Sequence, residues 1–215
     1  MLSRVSNPDQ FPVIARQARP DETLFMEGDP SVRVFELRSG IVRGVGMSPE
    51  GERQIAAFFF AGDQIGLPIS DVYRFTAEAV TEVSYFSHSS SRWQDALLRS
   101  YREEGKLLPS ICAEQDPIFR RGMIIGRSGV LVRISAFLIS VIDRLPETDG
   151  ALHLPLPQVD IAAYLAITPE STCRGFRQLR EMGIVSMPRR DALILRDKRG
   201  LEALASGATI GGISW

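Results

Sequence analysis

The sequence predicts an α+β chain in three consecutive parts: a strand-rich roll, a long helix, and two short helices followed by a hairpin. Three observations carry that prediction. Between Glu22 and Ser87, short apolar runs are broken about every ten residues by the turn signals EGDP, RSG, SPEG and AGD, the punctuation of an antiparallel roll or sandwich. From Leu108 onward, apolar and small residues recur at alternating three- and four-residue intervals, a helical seam. The C-terminal stretch LPLPQVDIAAYLAITPESTCRGFRQLREMGIVSMPRRDALILRD then holds two short helical patterns and one β pattern.

Within the roll, VFELRSGIVRGVGM, QIAAFFFAGDQIG and TAEAVTEVSYFSHS are the clearest strands, and Phe58, Phe59 and Phe60 read as buried strand and turn residues. Ser91 is the expected N-cap of a helix over RWQDALLRSYREEG, with Gly105 as its stop. The seam runs Leu108, Ile111, Gln115, Ile118, Gly122, Ile125, Gly129 and Val132. Two glycines weaken a solitary helix by about 1 kcal/mol each, whereas between two copies they let backbones approach closely. These eight residues are therefore assigned to a homodimer interface. Past Ile134, the residues Phe137, Leu138, Val141, Ile142 and Leu145 continue the period until PETDG breaks it, the expected hinge. The predicted domains are 1–106 (roll), 107–145 (dimerisation helix) and 146–215 (C-terminal domain).

Composition narrows the function classes. With 44% apolar and 24% charged residues, the chain is globular in character, and no apolar run reaches the roughly 20 residues of a membrane span. The start, MLSRVSNPDQ, lacks the basic-then-apolar layout of a signal peptide, so a cytoplasmic location is expected. Two cysteines, Cys112 and Cys173, and two histidines, His88 and His153, stand too far apart for a disulfide framework or a protein-built metal site. Cys112 reads as a buried small hydrophobe and His88 as a surface residue. No nucleophile–base pair or phosphate-cradling glycine motif supports an enzyme. The net charge is −1, yet between Glu170 and Arg199 eight Lys/Arg face four acids, a local excess suited to a phosphate backbone.

That excess lies on a specific layout. Ile161, Ala162 and Leu165 mark one face of a first short helix, and AIT is a tight connection. Thr168 is an N-cap with Pro169 at the first helical position, where its missing N–H costs nothing. The second helix buries Phe176, Leu179 and Met182 and stops at Gly183. Helical spacing then turns Glu170, Cys173, Arg174 and Arg177 outward. Two helices at a short turn, with polar residues at the start of the second, form a helix-turn-helix, whose second helix enters the DNA major groove. Ile184–Leu195, turning at PRRD, forms its wing.

The pattern DIAAYLAITPESTCRGFRQLREMGIV, joined to the upstream roll and long helix, resembles the CRP/FNR family of bacterial transcription regulators over nearly the whole chain. Its E-x-x-[SC]-R element stands as Glu170, Cys173 and Arg174, and the cysteine is similar to the FixK branch, which regulates microaerobic and denitrification genes. The resemblance implies a cyclic-nucleotide-binding-like β-roll, a winged helix-turn-helix and a homodimer on a TTGAT-N4-ATCAA-type palindrome. It also implies transcription activation, through exposed loops of the first domain that touch RNA polymerase. Carried onto this chain, Glu170 accepts from a cytosine or adenine amino group and Arg174 donates to guanine O6 and N7, with Cys173 between them near a thymine methyl. Ser171 and Arg177, with Gln158, Arg189 and Arg190, are assigned to phosphates.

The family's ligands are not matched. Members that bind a cyclic nucleotide carry a Gly-Glu pair for the ribose and an Arg-Ser pair for the phosphate; here Leu67 follows Gly66 and Phe75 follows Arg74. FNR-type sensors hold an iron–sulfur cluster on an N-terminal cysteine group, and no cysteine precedes Cys112. Neither cofactor is expected. Haem, as in nitric-oxide- or oxygen-responsive relatives, is the alternative. Cys173, near a helix N-terminus and beside Arg174 and Arg177, sits where the reactive thiolate is favoured, which makes it a candidate redox switch.

Overall fold

The computed structural model describes residues 15–48, 51, 53–104 and 115–207. The chain divides into two units, Met1–Phe119 and Arg120–Trp215.

Among the described residues, the first unit holds eight strands: β1 (Arg16–Ala18), β2 (Thr23–Phe25), β3 (Arg33–Ser39), β4 (Ile41–Met47), β5 (Arg53–Phe60), β6 (Gln64–Ile65), β7 (Thr76–Ala79) and β8 (Val83–Ser89). They form two antiparallel sheets, ordered β1-β8-β3-β6 and β2-β7-β4-β5. The three strand stretches read from the sequence become β3–β4, β5–β6 and β7–β8; the signals EGDP and AGD fall between strands, and RSG covers the end of β3 and the turn into β4. Gly40 of RSG has φ 85°, and a Cβ there would run into the Glu82 backbone, so only glycine fits that turn. The core is aromatic: Phe25 stacks on Tyr73 at 4.0 Å between centroids and Phe59 on Phe75 at 5.5 Å. Phe58, Phe59 and Phe60 are all buried strand residues.

Helix α1 (Ser90–Glu104) begins two residues earlier than expected. Ser89 accepts from the Arg92 N–H at 3.3 Å and acts as the cap in place of Ser91, while the Ser90 hydroxyl is spent on the Ser31 carbonyl. Gly105, Leu108, Ile111 and Cys112 lie outside the described residues.

The long helix is corrected. Over the described part of the predicted 107–145 element, two helices, α2 (Gln115–Ile125) and α3 (Val130–Val141), are separated by a loop ending at Gly129 in the left-handed region (φ 91°). The cause lies in GRSG: two glycines and a serine within four residues have little helical propensity, and nothing compensates. A seam cannot pass this break, so Gly129 and Val132 leave the α2 face. Helix α3 is the core helix of the second unit, burying Leu131, Ile134, Phe137, Leu138 and Val141.

The second unit continues through a 3₁₀ turn (Ile142–Arg144), β9 (Glu147–Thr148), β10 (Ala151–His153), α4 (Gln158–Leu165), α5 (Pro169–Glu181), β11 (Val185–Arg189), β12 (Ala192–Leu195) and α6 (Lys198–Ala205). PETDG, expected as a hinge, is the turn of a tight β9–β10 hairpin, with Asp149 and Gly150 both at positive φ. That hairpin extends the wing into a four-stranded sheet ordered β11-β12-β10-β9. Helix α6, missed in the sequence, has its own signals: Asp197 caps the Gly200 N–H at 2.9 Å, and Leu201 and Leu204 are buried.

Candidate nucleic-acid interface

Helix α5 is built as its sequence dictates. The Thr168 hydroxyl accepts from the Ser171 N–H at 3.2 Å, and Pro169 opens the helix. Thr172, Gly175, Phe176 and Leu179 face inward. Met182 is only half-buried, and Gly183 (φ 70°) follows it as the stop. Gly175 is the close-approach residue: a Cβ there would strike Ile134 Cδ1, so its absence lets α5 lie directly on α3.

The opposite face is exposed and carries Glu170, Cys173, Arg174, Arg177 and Arg180. Its own backbone N–H, then the Thr168 hydroxyl and Arg174, hold the Glu170 carboxyl below the usual glutamate range. It is therefore an ionised acceptor at neutral pH. Among the described residues, the guanidinium groups of Arg174, Arg177 and Arg180 make no hydrogen bond or ion pair. Glu170 and Arg174 thus attract one another across the helix surface without closing to a salt bridge, and both side chains are exposed.

The other predicted contacts sit elsewhere on this unit. Gln158 is exposed at the first position of α4, and Ser171, half-buried, accepts from the Thr168 hydroxyl at 3.1 Å. Arg189 and Arg190 are exposed at the wing turn. The Asp191 backbone carbonyl accepts from Leu154 at 2.7 Å, and its carboxylate lies 3.3 Å from His153 Nδ1, which ties the wing to β10. Arg180, counted only in the charge balance, joins the exposed face because it lies three residues beyond Arg177.

The predicted dimer residues divide. Ile118 packs against the aromatic core of the first unit and Ile125 is half-buried. The outward stripe of α2 is shifted: Phe119 is 71% and Met123 59% exposed, with Gly122 and Gly126 beside them at helical spacing. Of the seam residues described, Gly122 lies on that outward stripe, where a Cβ would meet nothing within 4 Å.

The first unit also has a cavity of about 190 Å³, lined by Phe25, Leu67, Tyr73, Phe75 and Ile118, with Arg74 and Gln115 as polar neighbours. Leu67 and Phe75 are buried core residues. His88 is a strand residue of β8, its Nε2 3.9 Å from Glu36. No helix among the described residues is long and apolar enough to cross a membrane.

Residues 132–204 match the Crp-like helix-turn-helix domain, and residues 15–100 match the cyclic nucleotide-binding domain. The chain belongs to the CRP/FNR family. This CRP/FNR regulator is 29% identical over 212 residues to the transcriptional activatory protein AadR of Rhodopseudomonas palustris, covering 92% of this chain and 84% of AadR. It is 27% identical to the nitrogen fixation regulation protein FixK of Rhizobium meliloti, covering 86% of this chain and 83% of FixK. Its fold matches that of FixK2 from Bradyrhizobium japonicum with a TM-score of 0.82 at 27% identity, over 94% of this chain and all of that one. The CRP/FNR regulators it resembles are DNA-binding transcription proteins and not enzymes.

Proposed function

We propose that this CRP/FNR regulator is a homodimeric transcription activator that reads a TTGAT-N4-ATCAA-type palindrome in a FixK-like microaerobic, denitrification or redox response. One observation carries the reading: Glu170 and Arg174 stand one turn apart on the exposed face of a capped helix. Such a pair matches a cytosine or adenine amino group beside guanine O6 and N7. Cys173 lies between them, and Arg177, Gln158, Ser171, Arg189 and Arg190 serve the backbone. The α2 stripe of Phe119, Gly122, Met123 and Gly126 supports a second copy as its occupant, since a palindrome requires two recognition helices. Exposed loops of the roll are assigned to RNA polymerase.

No cyclic nucleotide or iron–sulfur cluster is needed in this reading. Its support is the apolar burial of Leu67 and Phe75 and the lack of cysteine before Cys112. A gel shift on the palindrome without added ligand tests the function. Glu170→Ala and Arg174→Ala are each expected to weaken specific binding by about 1–3 kcal/mol while non-specific binding holds. Unchanged affinity in both would end the base-reading assignment, and a Soret band in the purified protein would favour the haem alternative.

A further inference from the structure

Helix α4 ends without a glycine. Ala166 adopts the left-handed conformation (φ 52°, ψ 48°), and its N–H returns to the Ala162 carbonyl, as does that of Ile167 at 3.1 Å. Left over are the carbonyls of Ala163, Tyr164 and Leu165, groups that a helix C-terminus leaves without an intrahelical donor.

Arginines from the two preceding helices take all three. Arg121 of α2 donates from Nε to the Tyr164 carbonyl at 2.8 Å and from Nη2 to that of Ala163 at 3.4 Å. Its guanidinium carbon lies 5.9 Å from the centroid of the Tyr164 ring. Arg133 of α3 donates from Nη1 to the Leu165 carbonyl at 3.3 Å and from Nε to the Arg127 carbonyl at 2.8 Å. Arg127 donates in turn to the Ala205 carbonyl at the end of α6. Cations at these termini also oppose the negative end of the helix dipole. Only Ala166, Ile167 and Thr168 separate the clamped carbonyls from the first residue of α5, and Thr168 is its cap.

We propose that Arg121 and Arg133 are positioning residues for DNA recognition. They lock the end of the first helix of the helix-turn-helix, hold its strained three-residue turn, and so set the angle at which α5 presents Glu170 and Arg174. Neither touches DNA. The inference rests on the DNA reading above and adds to it a cause for the orientation of α5.

The test compares Arg121→Met, which keeps the apolar stem, with the parent full-length protein, at a temperature where circular dichroism shows both folded. Binding to the palindrome is expected to fall at least tenfold, while the slope of log affinity against log salt stays unchanged because no phosphate contact is lost. In the DNA-free protein, amide hydrogen exchange is expected to quicken from Ile167 to Thr172 and not in α6. Arg121→Lys, able to reach one carbonyl of the two, should bind between the two proteins. Unchanged affinity overturns the proposal, and so does a slope that falls with the affinity, since Arg121 would then be a phosphate contact. If Arg121→Met does not fold, Arg121→Lys carries the same outcomes. A parent protein that binds no palindrome sinks the DNA reading instead; unchanged exchange at the turn would then overturn the clamp on its own.

Discussion

Glu170 acts as an acceptor because of its neighbours on the chain: its own N–H and the Thr168 hydroxyl stabilise the carboxylate, and Arg174 adds to them. Its folded-state pKa is lowered, so what the charge contributes is present above the ordinary glutamate value of about 4.3 and lost only as pH falls through the lower folded value. Glu170-dependent discrimination should therefore be flat between about pH 8 and pH 6. Cys173, exposed on the same face, is one residue before Arg174. Oxidation of its thiol by peroxide to a sulfinic or sulfonic acid would set an anion against DNA phosphates, so peroxide should abolish binding by the parent but not by Cys173→Ser. Equal loss in both, read by gel shift, would remove Cys173 as the switch. These outward residues were legible because a cap and a 3.6-residue period are local signals. Arg121 and Arg133 were not, since their partners at the end of α4 are backbone carbonyls 32 to 43 positions away in the chain, and no side-chain pattern marks a carbonyl.

At the scale of elements, the break between α2 and α3 and the contact of α3 with α5 matter most. Periodicity extended the helix across GRSG because apolar spacing ignores how much the glycine and serine backbone resists helix formation. The same limitation hid Gly175, which looks like a defect inside a helix. In the fold it faces Cδ1 of Ile134, a fully buried residue. Gly175→Val is expected to destabilise the protein by about 1–3 kcal/mol through overpacking, measurable as a lower urea midpoint with little change in its slope. A midpoint equal to that of the parent would show that α5 can shift away from α3 without cost.

For the whole molecule, the sequence predicts three consecutive domains, and the chain divides into two units with their boundary at Phe119–Arg120, inside α2. The spacing argument placed a separate helical domain between roll and helix-turn-helix, whereas α3 belongs to the core of the second unit and Ile118 to that of the first. The surface left for a second copy is shifted by one residue from the expected seam. Phe119→Arg should turn the dimer into a monomer in sedimentation velocity and weaken palindrome binding far more than binding to a half-site. A Phe119→Arg protein that remains dimeric would exclude this stripe as the interface.

Local chemistry alone determined the strand-rich roll, the capped second helix of the helix-turn-helix, and the outward Glu170, Cys173 and Arg174. Each depends on neighbours within one or two turns of chain. Tertiary structure decided where the long helix breaks, which face of α2 is free, and what holds the turn before α5. Those depend on which backbone groups remain unsatisfied and which surfaces are already covered once distant segments have packed.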